Sequence, residues 1–439
     1  MKKVLYLMLC VTVLAYSCKK NDDPNAGLRE VKVQLAYPAG SSFGVAANVV
    51  VKANSGTVVY EDSTDANGLA SFKLPVGIYE LSATDNRSEG GTSYLYNGVK
   101  SGVTVTGSWI STDVVTLTLT ESKASQVVIK EVFVGGTPKD DGSGAFIYDR
   151  YVLLYNNSAT PANLDDLCFA TVAPYNANAS NAYYGTDGEL TYKTQGWVPA
   201  AQGIWYFQTA VTIEPYKQIV VALTNAVNNT TTYSKSINFD NPNYYCMYDI
   251  DDFSHAATYA SPAASIPTSH YLKSEKYGTG TAWTLSTTSP GLFIFSPQGT
   301  TPAAFAANAT LTDVLGAYTS KKVPVEWVVD GVDAYLLNNT GNKKRLTPTI
   351  DAGYVYHLNN QGYSIYRNVD KAATEAIPGN AGKIVYNYQL GTVSIGGTTD
   401  PSGIDAEASI KNGAKVVYKD SNNSTNDFHM RSKASLRTN

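Results

Sequence analysis

Histidine and cysteine are scarce in this sequence, with four of each among 439 residues. The histidines are scattered, at His255, His270, His357 and His429, and the cysteines form neither a CxxC pair nor a zinc-ribbon spacing. A zinc centre needs clustered ligands, because three or four of them must reach one ion. We therefore expect no metal site and no cofactor.

Charge is also sparse, since only 16% of the residues are charged. The 33 basic residues do not outnumber the 37 acidic ones. A nucleic-acid-binding surface needs a basic face, so the composition argues against a nucleic-acid partner. What the chain does contain is tyrosine, 32 residues against 12 phenylalanines, with Asn, Ser, Thr and Gly between short Val- and Ile-rich runs. This composition is typical of an extracellular all-β protein.

The longest apolar run stands at the amino terminus and is short. VLYLMLCVTVLAY follows Met1-Lys2-Lys3, which gives the basic and apolar regions of an export signal. A membrane-spanning helix needs about 20 apolar residues, so this run is too short to cross comfortably. The following KKNDDPNAG has no large apolar residue and is typical of a solvated tether. We predict a signal peptide at 1–17 and a tether at 18–27.

The junction Ser17-Cys18 resembles a bacterial lipobox, in which the signal is cut before a cysteine that carries lipid on its thiol. The acidic residues just after Cys18 resemble the surface-export signals of Bacteroidota lipoproteins. The resemblance implies lipidation of Cys18 and an acyl anchor in the outer membrane, with the protein facing the cell exterior. Each buried CH₂ adds about 0.8 kcal/mol of membrane affinity, so several acyl chains hold a protein stably. An ordinary secretory signal is the alternative.

Two further cysteines, Cys168 and Cys246, lie in the mature part of the chain. An oxidising compartment permits a disulfide between them. The run LDDLCFATV around Cys168 equally fits a buried thiol in a strand. Both possibilities stay open from spacing alone.

Residues 28–121 alternate apolar and polar side chains in short runs such as VKVQL, with turns about every ten residues. This pattern predicts a β-sandwich of about a hundred residues. The stretch TDANGLASFKLPVGIYELSATD, with its turn glycines Gly68 and Gly77, resembles the carboxypeptidase-regulatory, or prealbumin-like, sandwich family. In that family the sandwich spaces or supports another domain and supplies no catalytic residue.

A second β domain is predicted at 125–439, beginning with the strand QVVIKEVFVGG. It resembles the lamin-tail family of immunoglobulin-like domains. The motif positions are Glu131, Asp149, Tyr151, Tyr155, Asn156 and Asn157. Long insertions rich in Tyr, Asn, Thr and Ser fall at about 172–200 and 228–320, and loops of that length are usually functional or mobile. We therefore predict an all-β protein of two sandwiches in series.

The closing stretch TTDPSGIDAEASIKNGAKVVYKDSNNSTNDFH adds a resemblance that covers nearly the whole mature chain. Together with the lipobox and both sandwiches, it resembles a family of Bacteroidota lipoproteins whose domain has no assigned function. The resemblance implies no activity.

Three motifs invite a catalytic or metal interpretation. GSSFG, around Ser42, matches a hydrolase nucleophile string, but a strand rather than a helix follows it. DIDDFSH, residues 249–255, lacks the glycine and closing glutamate of a calcium loop. The carboxylates Asp400, Asp405 and Glu407 could form a glycosidase pair, but Asp-Pro-Ser-Gly is first of all a turn. We expect no catalytic residue among them.

Aromatic rings in the insertions are the better functional candidates, because rigid, half-apolar rings stack on sugars or anchor protein interfaces. The candidates are Trp197, Trp205, Tyr244 and Tyr245. The alternative is that these rings fill the ends of the sandwich. We expect a non-enzymatic surface binding module for a glycan or an outer-membrane protein, accessory to nutrient uptake. A surface glycan hydrolase and a structural or adhesive spacer are the competing hypotheses.

Overall fold

The computed structural model describes residues 27–56, 58–89, 92–122, 125–283, 285–316, 318–392 and 399–438. The predicted signal peptide and Cys18 lie outside the described residues. Strands make up 38% of the structure and helices 9%, which confirms the all-β fold class. Among the described residues, no helix combines the length and apolar character needed to cross a membrane.

The chain divides into two compact units. The first combines the described residues up to Ala36 with Val45–Leu81 and Lys100–Leu117. The second combines Tyr37–Gly44, Ser82–Val99 and Thr118–Asn439. The domain boundary expected between residues 121 and 125 therefore stays a prediction, because the Ser82–Val99 stretch groups with the second unit.

The amino-terminal strands form two sheets, in the orders β4-β1-β7 and β3-β2-β5-β6-β8. The strands are β1 (Arg29–Ala36), β2 (Val50–Ser55), β3 (Val58–Ser63), β4 (Leu69–Leu74), β5 (Gly77–Glu89), β6 (Thr92–Val105), β7 (Val114–Thr118) and β8 (Thr120–Ser122). In β1 every second side chain is buried, as the VKVQL alternation predicts. Val31 of β1 pairs with Phe72 of β4, and both side chains lie in the core of the first unit.

The remaining strands belong to the second unit. They are β9 (Val127–Phe133), β10 (Thr137–Pro138), β11 (Ala145–Phe146), β12 (Tyr151–Asn156), β13 (Ala162–Asn163), β14 (Cys168–Thr171), β15 (Trp197–Ala201), β16 (Gly203–Tyr206), β17 (Thr212–Ile213), β18 (Gln218–Ala222), β19 (Tyr245–Met247), β20 (Tyr271–Lys276), β21 (Gly291–Phe295), β22 (Thr312–Leu315), β23 (Tyr318–Pro324), β24 (Val328–Leu336), β25 (Val355–His357), β26 (Ser364–Arg367) and β27 (Phe428–Arg431).

Short helices connect some of these strands. They are α1 (Pro302–Ala307), α2 (Lys371–Ala376), α3 (Ala406–Lys411) and α4 (Ser424–Asp427), with 3₁₀ turns at Asn229–Thr231, Thr268–His270, Ala309–Leu311 and Val325–Trp327. Each α-helix follows a residue whose side-chain oxygen accepts a hydrogen bond from a main-chain N–H of the first turn. The capping residues are Thr301, Asp370, Asp405 and Asn423.

The second unit is built around one large sheet. Within the described residues twelve strands follow each other in the order β25-β24-β21-β14-β16-β20-β19-β18-β12-β9-β26-β27. The sheet curls so that its end strands β25 and β27 lie beside each other, and β24 lies beside β9. The predicted sandwich thus takes the form of a nearly closed sheet, whose interior holds the largest apolar core of the unit.

The long insertions expected as loops contribute to this sheet. Strands β19, β20 and β21 all fall within residues 228–320; β19 and β20 are neighbours in the sheet, and β21 lies beyond β16 and β14. The apolar run GLFIF in β21 is buried at every position. A run of this kind fits a strand covered on both faces, which explains why the insertions are ordered parts of the core.

Within the described residues two β-bulges interrupt the sheet, and both lie beside buried charges. Between β9 and β12 the register steps from Leu153↔Glu131 to Leu154↔Ile129, which leaves Lys130 as the extra residue. Between β21 and β24 the register steps past Val329, next to the buried Asp330. A bulge re-aims the side chains around it, so these irregularities direct charged groups into otherwise regular strands.

Candidate functional site

Trp205 lies in the core of the second unit. Its side chain is 0% exposed and stacks on Phe253, with ring centroids 5.4 Å apart. Trp205 belongs to the main apolar core of the unit, whereas the preceding Ile204 belongs to a different cluster, as expected for side chains that alternate between the faces of a strand. The prediction of Trp205 as a ligand-binding residue is therefore wrong, because the ring has no accessible surface.

Trp197 begins β15 and is half-buried. Its indole Nε1 donates to Gln195 Oε1 at 2.9 Å, and the ammonium of Lys322 lies 5.1 Å from the centroid of the ring. Tyr192 packs beside it at 5.2 Å. A ring with a lysine against it and a tyrosine beside it offers only part of its surface to a ligand.

Tyr244 and Tyr245 lie at the start of β19, and both are half-buried. The Tyr245 ring stacks on His270, with centroids 4.2 Å apart and planes at 20°, and meets Phe207 edge-on at 5.3 Å. His270 is itself fixed, because its Nδ1 lies 3.1 Å from the carbonyl oxygen of Tyr244. Burial raises the pKa of Tyr245, so its phenol stays neutral at physiological pH.

Two further half-buried rings, Tyr248 and Tyr271, lie close to this pair and to His270 in the chain. Tyr248 meets Tyr271 edge-on at 5.5 Å, and Tyr271 directly follows His270 in the chain. We call this set the Tyr245 surface; its members are Tyr244, Tyr245, Tyr248, His270 and Tyr271. Next to it in sequence is an Asn-rich turn, in which Asn241 Oδ1 accepts from the N–H of the exposed Asn243 at 2.9 Å. Half-covered rings with amide groups nearby are a chemistry suited to sugars or to a protein partner.

The acidic run at residues 249–252 has a structural role. Asp249 pairs with Lys273 at 2.8 Å and accepts from the N–H of Ser274 at 3.1 Å. Asp252 accepts from the hydroxyl of Ser274 at 3.1 Å and from the N–H of Lys276 at 3.0 Å. These carboxylates therefore hold β20 in place. In the part of the chain that the structure describes, no group of three or more His, Cys, Asp or Glu side chains is placed to hold a metal ion.

The other tempting motifs are also accounted for by local structure. Ser42 lies in the irregular segment between β1 and β2. Asp400 accepts from the N–H groups of Val369 at 3.0 Å and Ser402 at 2.8 Å, which fixes a turn. Asp405 caps α3. The Asp-Pro-Ser-Gly stretch thus forms the turn that its composition indicates.

Cys168 and Cys246 are both free and buried. They lie in separate apolar clusters of the second unit, so the structure places no disulfide between them. Burial raises the pKa of both thiols, that of Cys246 to about 12. Of the two possibilities that spacing left open, the structure has the buried thiols.

A buried lysine is the polar feature that the sequence did not single out. Lys130 is 0% exposed, and its Nζ lies within 2.6 Å of both Glu407 Oε1 and Gln218 Oε1. Three tyrosine rings surround the ammonium, with centroids 5.5–5.7 Å away; we call them the tyrosine cage. They are Tyr155, Tyr366 and Tyr418. The sequence feature that could have indicated this site is the pair Lys130-Glu131 within the mostly apolar run QVVIKEVFVGG.

The cage holds its carboxylate as well as its cation. The Tyr366 hydroxyl donates to Glu407 Oε1 at 2.7 Å and lies 3.0 Å from the Tyr418 hydroxyl. Burial raises the pKa of Glu407, but the Lys130 ammonium and the two hydrogen bonds outweigh it, so the pKa is lowered overall. The resting state of this site is therefore an ion pair.

Arg367 forms a second buried charge cluster, where the curled sheet closes. Its guanidinium binds Asp330 of β24 and donates from Nε to the carbonyl oxygen of Ile129 at 2.7 Å. Asp330 in turn accepts from the N–H of Ile129 at 2.6 Å. Asp420 lies on the other side of Arg367, at 3.4 Å from Nη1. Burial, together with the charge of Asp330, raises the pKa of Asp420 to about 7.

A cavity of about 240 Å³ adjoins this cluster. Its walls combine apolar side chains with carboxylates, namely Val325, Val328, Val329 and Ile350 with Glu121, Glu326 and Asp330. Pockets for small organic ligands usually measure about 300–1,000 Å³, so this cavity is small for that purpose. We therefore regard the Tyr245 surface as the stronger binding candidate.

These features define a large all-β protein with a curled sheet and buried polar clusters. Residues 214–435 match the family model described as "Protein of unknown function (DUF4876)". Because the match spans more than half of the 439 residues, the chain belongs to this family.

Comparison with solved structures agrees with this assignment. The crystal structure of a DUF4876 family protein from Bacteroides thetaiotaomicron VPI-5482 is similar, with a TM-score of 0.51 at 18% identity over 91% of this chain and 94% of that chain. At that identity the likeness shows the fold alone. A variant of BcpA, the major pilin subunit of Bacillus cereus, aligns over 72% of this chain and 98% of that chain at 13% identity, and its TM-score of 0.15 carries no argument. No curated protein matches the chain.

Proposed function

We propose that this chain is a lipid-anchored outer-membrane protein that acts outside the cell as a non-enzymatic binding module. Its ligand would be a glycan, or an outer-membrane protein that it assists in nutrient uptake. The ligand would contact the Tyr245 surface. The observation that carries the proposal is the Tyr245 ring, which is partly exposed yet fixed by the His270 stack and the Phe207 edge.

A fixed ring is a better binding element than a mobile one. Ordering a free side chain on binding costs about 0.5–1.5 kcal/mol, and Tyr245 is already ordered by its neighbours. Its apolar face suits the C–H face of a sugar ring or an apolar side chain of a protein. The amides of Asn241 and Asn243, close in sequence, suit hydroxyl groups. These properties support recognition by stacking and hydrogen bonding and require no charged ligand.

The proposal is tested by a glycan-array screen of the full chain, followed by the same screen on Tyr245→Ala. We expect the wild type to bind a subset of glycans, and Tyr245→Ala to lose at least tenfold in affinity, since hot-spot aromatics contribute about 2 kcal/mol or more. Tyr184 is a matched control, because it is half-buried in another cluster of the same unit. Tyr184→Ala should bind as the wild type does.

Thermal unfolding separates a binding effect from a folding effect. Truncating the buried Trp205 to Ala should cost about 3–5 kcal/mol, whereas Tyr245→Ala should cost clearly less. If the array and a pull-down of outer-membrane proteins both yield no partner for the wild type, the binding proposal fails and the spacer hypothesis replaces it. Equal affinities of Tyr245→Ala and wild type would exclude the Tyr245 surface as the site.

A further inference from the structure

The tyrosine cage brings together the three groups needed to form an amide bond between side chains. Lys130 Nζ is an amine, and it donates to the carboxamide oxygen of Gln218 at 2.6 Å. A carboxylate oxygen of Glu407 lies 2.6 Å from the same nitrogen. The three residues come from β9, β18 and α3, which are distant in the chain. We propose that Lys130 and Gln218 become joined by an intramolecular isopeptide bond, with Glu407 as the proton carrier.

The reaction balances without any co-reactant. Glu407 takes a proton from the Lys130 ammonium, and the neutral Nζ attacks Cδ of Gln218. The C–Nε2 bond of the carboxamide then breaks, and the nitrogen leaves as ammonium after receiving, through Glu407, the two protons that Nζ gives up. One N–C bond forms, one breaks, and no oxidation occurs. Glu407 is returned to its starting state.

The surroundings favour this chemistry in two ways. The rings of Tyr155, Tyr366 and Tyr418 shield the amine, which is 0% exposed, so water is kept from it. The low polarity also reduces the free-energy difference between the ion pair and the neutral form, in which Lys130 is an amine and Glu407 a carboxylic acid, because burying charges is costly. The ion pair remains the resting state. A slow reaction through the neutral form is sufficient, because it occurs once in the life of each molecule.

The local backbone directs the amine to this position. Lys130 is the extra residue of the bulge between β9 and β12, and β12 separates it from β18 in the sheet. On β12, Tyr155 pairs with Gln218, so the carboxamide is held beside the cage. The bond would therefore tie β9 to β18 across the intervening strand and close a covalent loop from residue 130 to residue 218.

Peptide mapping of the full chain tests the proposal. The purified protein is denatured, digested with trypsin and analysed by tandem mass spectrometry. We expect residues 124–139 to be joined to residues 218–235, with no cleavage after Lys130 and a mass equal to the two peptides less one ammonia. The linked pair is the diagnostic species, because a free peptide that begins with Gln218 can lose ammonia by cyclising. Recovery of only the separate peptides from wild type would overturn the proposal.

Variants assign the role of each group. Glu407→Gln and Lys130→Arg should yield only separate peptides, and Glu407→Gln should still give the near-UV circular dichroism spectrum of a folded protein. Lys321 supplies a matched control: it is also buried, but it donates to the main-chain oxygen of Asn308 and to the hydroxyl of Thr312. Lys321→Met should keep the linked pair. A complete link in Glu407→Gln would refute the role of Glu407, and the wild-type map decides the bond itself if that variant does not fold.

Discussion

Asp333 and Arg345 form a completely buried ion pair in the second unit. Asp333 Oδ1 accepts from Nη2 of the guanidinium at 2.7 Å, and its Oδ2 accepts from the main-chain N–H of Arg345 at 2.6 Å. The guanidinium also donates to the main-chain oxygens of Tyr175 at 3.1 Å and Ser289 at 2.9 Å. A single arginine thus satisfies polar groups from several segments that the sheet alone does not connect.

Replacing Arg345 with Met should strongly destabilise the protein. The charge of Asp333 would remain buried without its main partner, and breaking a buried pair in this way costs about 3–5 kcal/mol. The free energy of unfolding would be measured by urea titration. The control is Lys193→Met, which breaks an exposed pair with Glu189 and should change stability by less than about 0.5 kcal/mol. Similar losses in both variants would contradict the prediction.

Asp149 should make stability depend on pH. Burial raises the pKa of its carboxyl to about 6, despite hydrogen bonds from Thr137 and Ser236. Because the folded pKa lies above the unfolded value, the folded state binds more protons between about pH 4 and pH 6. This group's contribution to stability therefore falls as pH rises through that window, by about 3 kcal/mol in total.

The variant Asp149→Asn isolates this effect, since it is close to the wild type in size and cannot ionise. The stability of Asp149→Asn relative to wild type should be lower near pH 4.5 and should increase by pH 7.5. Melting temperatures of both proteins at the two pH values provide the measurement. A constant difference between the proteins would show that Asp149 does not titrate in this range.

The two buried thiols should be unreactive in the folded protein. Cys168 and Cys246 are 0% exposed, and their raised pKa values leave little thiolate at neutral pH. A thiol reagent such as Ellman's should label neither cysteine in the native protein and both in guanidinium chloride, without prior reduction. Labelling that requires a reductant would indicate a disulfide.

Cys18→Ala should release the protein from the membrane. The lipobox resemblance implies that acyl chains on Cys18 attach the protein to the membrane. The variant has no thiol at this position to carry them, so it loses the attachment. Fractionation of cells would show the wild type in the membrane pellet and Cys18→Ala in the soluble fraction. A variant that stays in the pellet after a high-salt wash would disprove the lipid anchor.

Local patterns in the sequence were sufficient to predict the fold class. The alternation in β1 appears in the structure as regular burial of every second residue. The same rule could not identify the face of each residue in β9, where every side chain is buried. It also could not reveal that β19, β20 and β21 join one sheet, because strand order depends on contacts between distant segments.

The candidate site was less accessible to sequence reasoning. Trp205 and Tyr245 both stand in stretches rich in aromatic and polar residues, yet Trp205 is in the core and Tyr245 is partly exposed. The difference lies in the packing: Trp205 stacks on Phe253 inside the main core, whereas Tyr245 lies at the first position of its strand and packs on His270 and Phe207. The tyrosine cage was missed for a similar reason, since Gln218 and Glu407 approach Lys130 only after the sheet has formed.

The bulge in β9 also explains the irregular pattern of inward-facing residues in that strand. Val127 and Ile129 face the main core, and so do Val132 and Val134, so the inward positions change from odd to even numbers. If Lys130 is skipped in the count, the four inward residues alternate without a break. β9 is thus a regular strand into which one extra residue has been inserted. The inserted residue is the buried Lys130 itself.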